Sequence, residues 1–239
     1  MRKIFVLGDI HFPFQEDKYL NFCFDTIKQT QPDIVVVNGD LLDFPSLSKY
    51  VISPEIDRIK LTDQLNLGWQ FFSDLRKIVP EARIIFIEGN HEFRFRSYVL
   101  RLAPHLYEYV DLRRDLGLDE LNVEFIETKK LASKWTDTFI KIDDIVIGHF
   151  DTVSNSVVPA GMTIRNIMQK KIKSNNVVQS HCHRGAIIWD TDEFGLKRFG
   201  IECPCLCKPP FYSGTFNWQN GFLIIEKQNF GWMPYLIIL

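Results

Sequence analysis

The feature that most constrains the fold is a short apolar segment that ends at glycine and a polar residue, and it occurs three times in the first half of the chain. Residues 3–7, 33–37 and 83–87 each begin with a charged residue, continue with four apolar ones, and are followed at once or after one residue by a Gly–Asp or Gly–Asn step. Near-continuous apolar strands are buried on both faces, as in a sheet covered by helices. Residues 18–29 and 55–79 lie between these segments and carry apolar side chains at helical spacing. The sequence therefore predicts a β-α-β-α-β start.

The second half of the chain contains more strand-like than helical segments. Helical patterns cover residues 93–105 and 162–173. Because strands outnumber helices there, the chain is predicted to be an α/β sandwich with two facing sheets, formed by one domain over residues 1–239. The segments that favour strands are 123–127, 138–142, 145–147, 177–179, 186–189, 221–226 and 232–238.

Composition restricts the class of protein further. A net charge of -2 and a pI near 6.3 give no basic pattern, so charge alone does not argue for a nucleic-acid partner. The five cysteines are an odd number at low density, and no run of 18 apolar residues is present. The first apolar segment is too short for a signal peptide. These observations predict a reducing, cytoplasmic setting without a membrane partner and give no indication of oligomeric state.

Side chains that can bind metal follow the predicted strands, where α/β sheets open crevices for ligands. Divalent ions bind carboxylate, amide and imidazole groups, and Asp-x-His or His-x-His on an extended segment would direct both side chains to one face. Two ions about 3.5–4 Å apart need a shared carboxylate, and Asp40 is the natural bridge. The candidate groups are Asp9 with His11, Asp40, Asn90 with His91, His149, and His181 with His183.

Five short motifs carry a resemblance to a known family. They are Gly8-Asp9-Ile10-His11, Gly39-Asp40, Gly89-Asn90-His91-Glu92, Gly148-His149 and Ser180-His181-Cys182-His183. In this order they resemble the motifs of the calcineurin-like metallophosphoesterases. The resemblance covers residues 8–183 and implies the metallophosphatase fold, a four-layer α/β/β/α sandwich with two facing mixed sheets.

The resemblance also implies a centre with two divalent metal ions. His91 would approach the phosphate and stabilise it or protonate the leaving group, while a hydroxide bridging the ions attacks in line. Mn²⁺ is the favoured ion on resemblance, and Fe²⁺, Zn²⁺ or Ni²⁺ would suit the same mixed ligands. The implied ligands are Asp9, His11 and His183 for one ion, Asn90, His149 and His181 for the other, and Asp40 as the bridge.

The chain departs from the family pattern at three places. Phe150 follows His149 where many members have glycine, and Ser180 stands where many have glycine before the last histidine pair. The second motif continues with Leu41 and Leu42 in place of the Asp-Arg-Gly sequence of phosphoprotein phosphatases. The chain is therefore more similar to bacterial or phage phosphodiesterases and to the Mre11-like nuclease branch.

Four charged residues beside the motifs are further candidates for the site. Asp43 and Glu92 either orient a histidine as carboxylates behind the ligands or are solvated turn residues. Arg94 and Arg184 carry guanidinium groups that suit phosphate oxygens. Arg184 is the better substrate-binding candidate of the two because it directly follows a predicted ligand.

The region after residue 200 contains alternating cysteines and then aromatic residues. Cys203, Cys205 and Cys207 are separated by single residues, a spacing that fits structural zinc poorly, so a buried segment of apolar thiols is the preferred interpretation. Resemblance to phage-type members suggests a wall of the active site. The aromatic residues either stack nucleic-acid bases or pack in the core, and they include Phe211, Tyr212, Phe216 and Trp218.

The sequence therefore favours a phosphodiesterase that depends on two divalent metal ions, with DNA as a candidate substrate. A phosphomonoesterase acting on a small molecule or phosphoprotein is the first alternative. A non-catalytic metal-binding scaffold protein is the second.

Overall fold

The computed structural model describes residues 2–48, 54, 58–128, 130–131, 134–135, 138–151, 159–208 and 217–239. The helices are α1 (Asp17–Thr30), α2 (Leu61–Ile78), α3 (Asn90–Leu102), α4 (Leu112–Asp115) and α5 (Met162–Lys170), with 3-10 turns at Pro45–Leu47 and Pro104–Tyr109. The strands are β1 (Lys3–Leu7), β2 (Ile34–Asn38), β3 (Arg83–Ile87), β4 (Val123–Ile126), β5 (Lys130–Leu131), β6 (Lys134–Trp135), β7 (Phe139–Ile142), β8 (Ile145–Gly148), β9 (Asn176–Gln179), β10 (Ala186–Thr191), β11 (Lys197–Glu202), β12 (Gly221–Gln228) and β13 (Gly231–Ile238).

The first sheet has six strands in the order β13-β12-β1-β2-β3-β4. Strands β1 to β4 run parallel, and β12 joins β1 in antiparallel register. The connections through α1 and α2 are the helices that parallel neighbours require, so the predicted β-α-β-α-β start is confirmed. The carboxyl ends of β1, β2 and β3 consequently meet at one edge.

The second sheet has five strands in the order β10-β11-β9-β8-β7. Strands β8, β9 and β11 are parallel, whereas β7 and β10 are antiparallel to their neighbours, so both sheets are mixed. Strands β5 and β6 form a separate two-stranded hairpin.

The layers follow from alternation along β1. Ile4 and Val6 pack between the two sheets, where they share a core with Ile147 and Val178 of the second sheet. Phe5 faces the opposite side, where α1 and α2 cover the first sheet. Helix α5 covers the outer face of the second sheet. The predicted four-layer α/β/β/α sandwich with two facing mixed sheets is therefore confirmed.

Two elements differ from the sequence prediction for identifiable reasons. Helix α3 starts at Asn90 and not at residue 93, because the Glu92 carboxylate accepts a hydrogen bond from the Gly89 N–H and caps the helix. Strand β11 was missed because it carries Arg198 and Glu202, yet Glu202 is fully buried and accepts hydrogen bonds from the first amides of α5.

The start of α2 and the character of the helices bear on two further predictions. Helix α2 begins at Leu61, and the predicted start at residues 55–57 lies outside the described residues. Among helices of the described ranges, none is both long and apolar enough to cross a membrane.

Candidate metal centre

The predicted ligands come together because five strands of the two sheets end at the same place. Asp9 and His11 follow β1, Asp40 follows β2, and Asn90 begins the helix after β3. From the second sheet, His149 follows β8, and His181 and His183 follow β9. The facing sheets thus contribute side chains to one crevice at their carboxyl ends.

One side of the centre is formed by Asp9, His11 and His183. Nε2 of His183 lies 3.2 Å from Oδ1 of Asp9 and 3.2 Å from Nε2 of His11. Nε2 of His11 lies 3.8 Å from Oδ2 of Asp40, which connects this group to the second side. All of these side chains are buried. The three residues predicted to hold one ion are therefore adjacent.

The other side is formed by Asp40, Asn90, His149 and His181. Nε2 of His149 lies 3.1 Å from Oδ2 of Asp40 and 3.1 Å from Oδ1 of Asn90. Ligand atoms of Asp40, His149 and His181 all lie within 4.8 Å of one another. Because Asp40 also approaches His11, its carboxylate occupies the position expected of a bridge between two ions.

Hydrogen bonds determine which ring nitrogens carry lone pairs. Nδ1 of His149 is 3.0 Å from the Asn38 carbonyl oxygen, an acceptor, so this nitrogen carries the proton. Nδ1 of His11 likewise donates to the Asp43 carboxylate at 2.9 Å. In the neutral rings both Nε2 atoms then carry lone pairs, directed at other acceptors. A divalent ion bound here would replace the proton that His149 shares with the Asp40 carboxylate, so these residues fit divalent metal ions.

The charge distribution is consistent with a cation site. Burial opposes ionisation of Asp40, yet His149 and His91 hold its pKa well below the usual range. Burial lowers the pKa of His149, but the Asp40 carboxylate outweighs this and raises it to about 10. Burial and neighbouring His149 lower the pKa of His181 to about 3, which keeps that ring neutral and able to bind metal.

The backbone of the centre is strained. Five predicted ligands have left-handed φ angles, which non-glycine residues seldom adopt: Asp9 at 50°, His11 at 54°, Asp40 at 52°, His181 at 72° and His183 at 56°. The expectation that Asp-x-His and His-x-His segments are extended is therefore wrong. The side chains converge because tight turns follow the strands, and such strain is commonly held at functional sites.

His91 lies at the margin of the centre with Asp43 and Arg94. Its Nδ1 donates to the Asp43 carbonyl oxygen at 2.9 Å and is 3.4 Å from the Asp43 carboxylate. Nη2 of Arg94 is 3.2 Å from Nε2 of His91. The His91 and Arg94 side chains are 16% and 22% exposed, so both are accessible to a substrate. The Nε2 atom of His91 lies 4.0 Å from Oδ2 of Asp40, a position compatible with its predicted catalytic role.

Asp43 and Glu92 have different roles in the structure. Asp43 contacts His11 and His91, and these histidines hold its pKa well below the usual value despite burial. Glu92 accepts hydrogen bonds from the backbone N–H groups of Asp40, Leu42 and Gly89. Glu92 therefore orients the loops that carry two motifs, whereas only Asp43 orients histidines.

Arg184 is placed unlike the substrate-binding residue that the sequence suggested. It is 4% exposed, its Nη2 donates to Thr163 Oγ1 at 3.0 Å, and its Nε lies 3.6 Å from Glu202. A buried guanidinium engaged in this way links β11 and α5. Of the two arginines predicted to bind phosphate, Arg94 is therefore the better candidate.

The departures from the family pattern have structural explanations. Phe150 has φ 57°, a conformation that explains glycine at this position in other members, and its ring is buried against Phe139. Ser180 Oγ accepts a hydrogen bond from Asn38 Nδ2 at 2.9 Å. Asn38 Nδ2 also donates to the Gly148 carbonyl, so Asn38 joins the two sheets beneath the centre. Sequence analysis missed Asn38 because it resembles an ordinary turn residue.

Comparison with known protein families identifies the family of this chain. A model of the family described as calcineurin-like phosphoesterase matches residues 2–201. The chain belongs to the calcineurin-like phosphoesterase family. The matched region contains all the predicted ligands and ends before Cys203.

Two phage proteins are similar along nearly their whole length. The Gene 54 protein of Mycobacterium phage L5 is 30% identical over 250 residues, covering 99% of this chain and 93% of the relative. The Gene 54 protein of Mycobacterium phage D29 is 30% identical over 249 residues with the same coverage. Among solved structures, Vps29 of Chaetomium thermophilum matches with a TM-score of 0.49 at 11% identity, covering 100% of this chain and 92% of that one. Vps29 of Cryptosporidium parvum matches with a TM-score of 0.46 at 9% identity, covering 100% and 97%.

Proposed function

We propose that this protein is a phosphodiesterase that uses two divalent metal ions, with DNA as a candidate substrate. The observation that carries the proposal is the convergence of potential metal-ligand atoms around Asp40. Nε2 of His149 is directed at Asp40 and Asn90, and Nε2 of His11 lies near Asp40 on the other side. When bound, two divalent cations would supply Lewis acidity and a water made acidic at neutral pH.

The surrounding residues would position the substrate. Arg94 is half-buried beside His91, and its guanidinium suits a non-bridging phosphate oxygen. A phosphate bound there would take over the Arg94 hydrogen bonds now made to His91. Arg94 would therefore orient the ester next to the ring that acts on it.

His91 would transfer a proton to the leaving oxygen. Its Nδ1–H is held by the Asp43 carbonyl, which leaves Nε2 as the atom that faces the margin of the centre. Once protonated, the imidazolium would be stabilised by the Asp43 carboxylate 3.4 Å from Nδ1. Nε2–H would then donate to the leaving group, in general acid catalysis.

Charge favours a diester over a monoester. A phosphodiester carries one negative charge, whereas a monoester carries nearly two at neutral pH because its second pKa is about 6. Within the described ranges, the guanidinium that contacts His91 belongs to Arg94. Arg184, the other arginine predicted to bind phosphate, is buried against Thr163 and Glu202. The accessible Arg94 guanidinium beside the metal ions is better matched to the single negative charge of a phosphodiester.

An aromatic side chain supports a nucleotide-like substrate. The Trp218 ring is half-buried and lies edge-on to the His183 ring, with centroids 4.0 Å apart. An indole in this position could stack a base beside the scissile phosphate. Phe211, Tyr212 and Phe216 lie outside the described residues. We further propose a reducing, cytoplasmic setting, in line with five cysteines that are all free thiols.

The test is hydrolysis by metal-loaded protein of bis-p-nitrophenyl phosphate, p-nitrophenyl phosphate, and single-stranded and flapped DNA. We expect Mn²⁺-dependent cleavage of the diester at a higher kcat/KM than the monoester. Preference for the monoester would make the protein a phosphomonoesterase. Metal binding without turnover of any of these substrates would contradict the proposal and favour a scaffold role.

A matched pair of variants separates the site from contamination. His91→Gln should abolish most turnover, whereas His105→Gln, which changes the histidine outside the motifs, should leave it unchanged. An equal loss of turnover in both variants, or unchanged turnover in both, would contradict the assignment of His91.

A further inference from the structure

A segment of alternating cysteines follows β11 and forms part of the wall of the metal centre. Cys203, Cys205 and Cys207 are each at most 1% exposed. Among the cysteines, all of which are described, Cys207 is distinguished by its neighbours. Its Sγ, a ring nitrogen of His11 and a ring nitrogen of His183 all lie within 4.8 Å of one another. A thiol therefore stands beside two of the ligands proposed for one ion.

Backbone hydrogen bonds hold this segment against the first motif. The N–H of Leu206 donates to the Asp9 carbonyl at 3.1 Å, and the N–H of Lys208 donates to the Phe14 carbonyl at 2.9 Å. Cys207 lies between these two bonds. The position of its thiol is therefore set by the same turn that positions the Asp9 carboxylate.

An unsatisfied buried oxygen marks the same place. Asp9 is fully buried, and its Oδ1 receives no hydrogen bond. This oxygen lies 3.2 Å from Nε2 of His183 and 3.9 Å from Nε2 of His11. A buried carboxylate oxygen without a donor is costly unless a cation compensates it. This oxygen therefore lies beside the same two imidazoles that the thiol of Cys207 approaches.

The spacing suits a single ion. Sulfur and nitrogen ligands lie about 2.0–2.3 Å from a bound zinc ion, so two of them at a tetrahedral angle are about 3.5 Å apart. Since the thiol and the two ring nitrogens lie within 4.8 Å of one another, small side-chain rotations would bring Cys207 into range of an ion held by the histidines. Sulfur is a softer ligand than oxygen and favours Zn²⁺, Fe²⁺ or Co²⁺ over Mn²⁺.

We propose that Cys207 is an additional ligand of the ion held by Asp9, His11 and His183. This position then selects a thiophilic ion, while the position at Asn90, His149 and His181 keeps nitrogen and oxygen ligands only. The inference rests on the proposed metal centre but not on hydrolysis. Because the family match ends at residue 201, Cys207 lies outside the region that defines the family.

The decisive measurement is the absorption spectrum of metal-free protein titrated with Co²⁺. Wild-type protein should show visible d–d bands and a near-ultraviolet sulfur-to-cobalt charge-transfer band. Cys207→Ser should lose the near-ultraviolet band and keep the visible bands. Cys203→Ser, a matched change of an equally buried thiol in the same segment, should keep both.

The possible failures are distinguishable. Visible bands without a charge-transfer band in wild-type protein would overturn the role of Cys207 and leave the metal centre intact. No visible bands at all would overturn the metal centre itself. Neither outcome depends on whether a variant folds.

Metal affinity gives a second measure. Loss of a direct ligand should weaken Zn²⁺ binding at the first position by no less than the roughly 10–100-fold that loss of an outer partner costs. Mn²⁺ binding should change much less in Cys207→Ser. Equal weakening of both ions would assign the thiol a packing role and overturn the proposal.

Discussion

The two sides of Asp40 differ in the group that accepts a hydrogen bond from the Nδ1–H of a proposed histidine ligand. On the first side, with Asp9, His11 and His183, the backing group for His11 is the Asp43 carboxylate. On the second side, with Asn90, His149 and His181, the backing group for His149 is the neutral Asn38 carbonyl. A carboxylate makes the opposite ring nitrogen more basic than a carbonyl does. The first side should therefore bind its ion more tightly.

The surroundings increase this difference. The first side has Cys207 and the half-buried Trp218 next to it. His91 also approaches this side, because its ring centroid lies 4.5 Å from that of His11 and its Nε2 lies 4.0 Å from Oδ2 of Asp40. The thiol, the indole and the proposed proton donor therefore all lie near the first side. Two positions in one centre need not share affinity, metal or task.

The largest effect is expected from changing Asp40, the residue that both sides share. Asp40→Asn should remove the bridge between the two positions and lower the occupancy of both. A loss of several kcal/mol of transition-state stabilisation corresponds to a rate reduction of roughly 10³-fold. Metal analysis together with kcat/KM on a diester checks this. An Asp40→Asn variant that retains two ions per chain would show that the two sides do not depend on the shared carboxylate.

A second change should lower turnover without removing a proposed metal ligand. His91→Gln removes the proposed proton donor, and we expect kcat to fall by about 10²-fold or more. Metal content should remain at the wild-type value because His91 supplies no ligand. Loss of an ion from this variant would instead place His91 among the ligands.

A third change should act on the first side alone. Asp43→Asn replaces the carboxylate behind His11, and the affinity of the tighter position should fall by about 10–100-fold. The weaker position should keep its affinity, because His149 is held by a main-chain carbonyl. Competition titrations that resolve two affinities provide the measurement. Weakening of both positions alike would remove the distinction drawn between the sides.

The smallest effect concerns the second side. Ser180→Ala deletes one of the two acceptors of Asn38 Nδ2, and the free energy of unfolding should fall by about 1 kcal/mol, the usual net value of one hydrogen bond. Urea denaturation measures this. Tyr235→Ala, at an exposed edge-strand position away from the strand ends, serves as a control for non-specific loss. A destabilisation of several kcal/mol would mean that Asn38 and Ser180 do more than join the sheets.

The sequence predicted those parts of the site that depend on residue type and order. Apolar segments ending at potential ligands are a local pattern, and the parallel order of β1, β2 and β3 brings their ends together. Residues such as Asp9 and His149 could therefore be assigned before their distances were known.

The remaining features depend on contacts that no local pattern contains. The left-handed backbone at His181 and His183 is imposed by the turn after β9, and motif matching gives no dihedral angle. Arg184 is one residue from a ligand, yet burial against Glu202 directs it elsewhere. Cys207 approaches His11 across nearly two hundred residues, and its spacing from the other cysteines resembles no common metal motif.

The pairing of β1 with β12 has a consequence for how the chain is made. Lys3 lies opposite Glu226, so one edge of β1 stays unpaired until a strand more than two hundred residues later in the sequence has been synthesised. An open strand edge invites pairing with other chains. During synthesis, a central strand of the first sheet therefore behaves as an edge strand until β12 pairs with it.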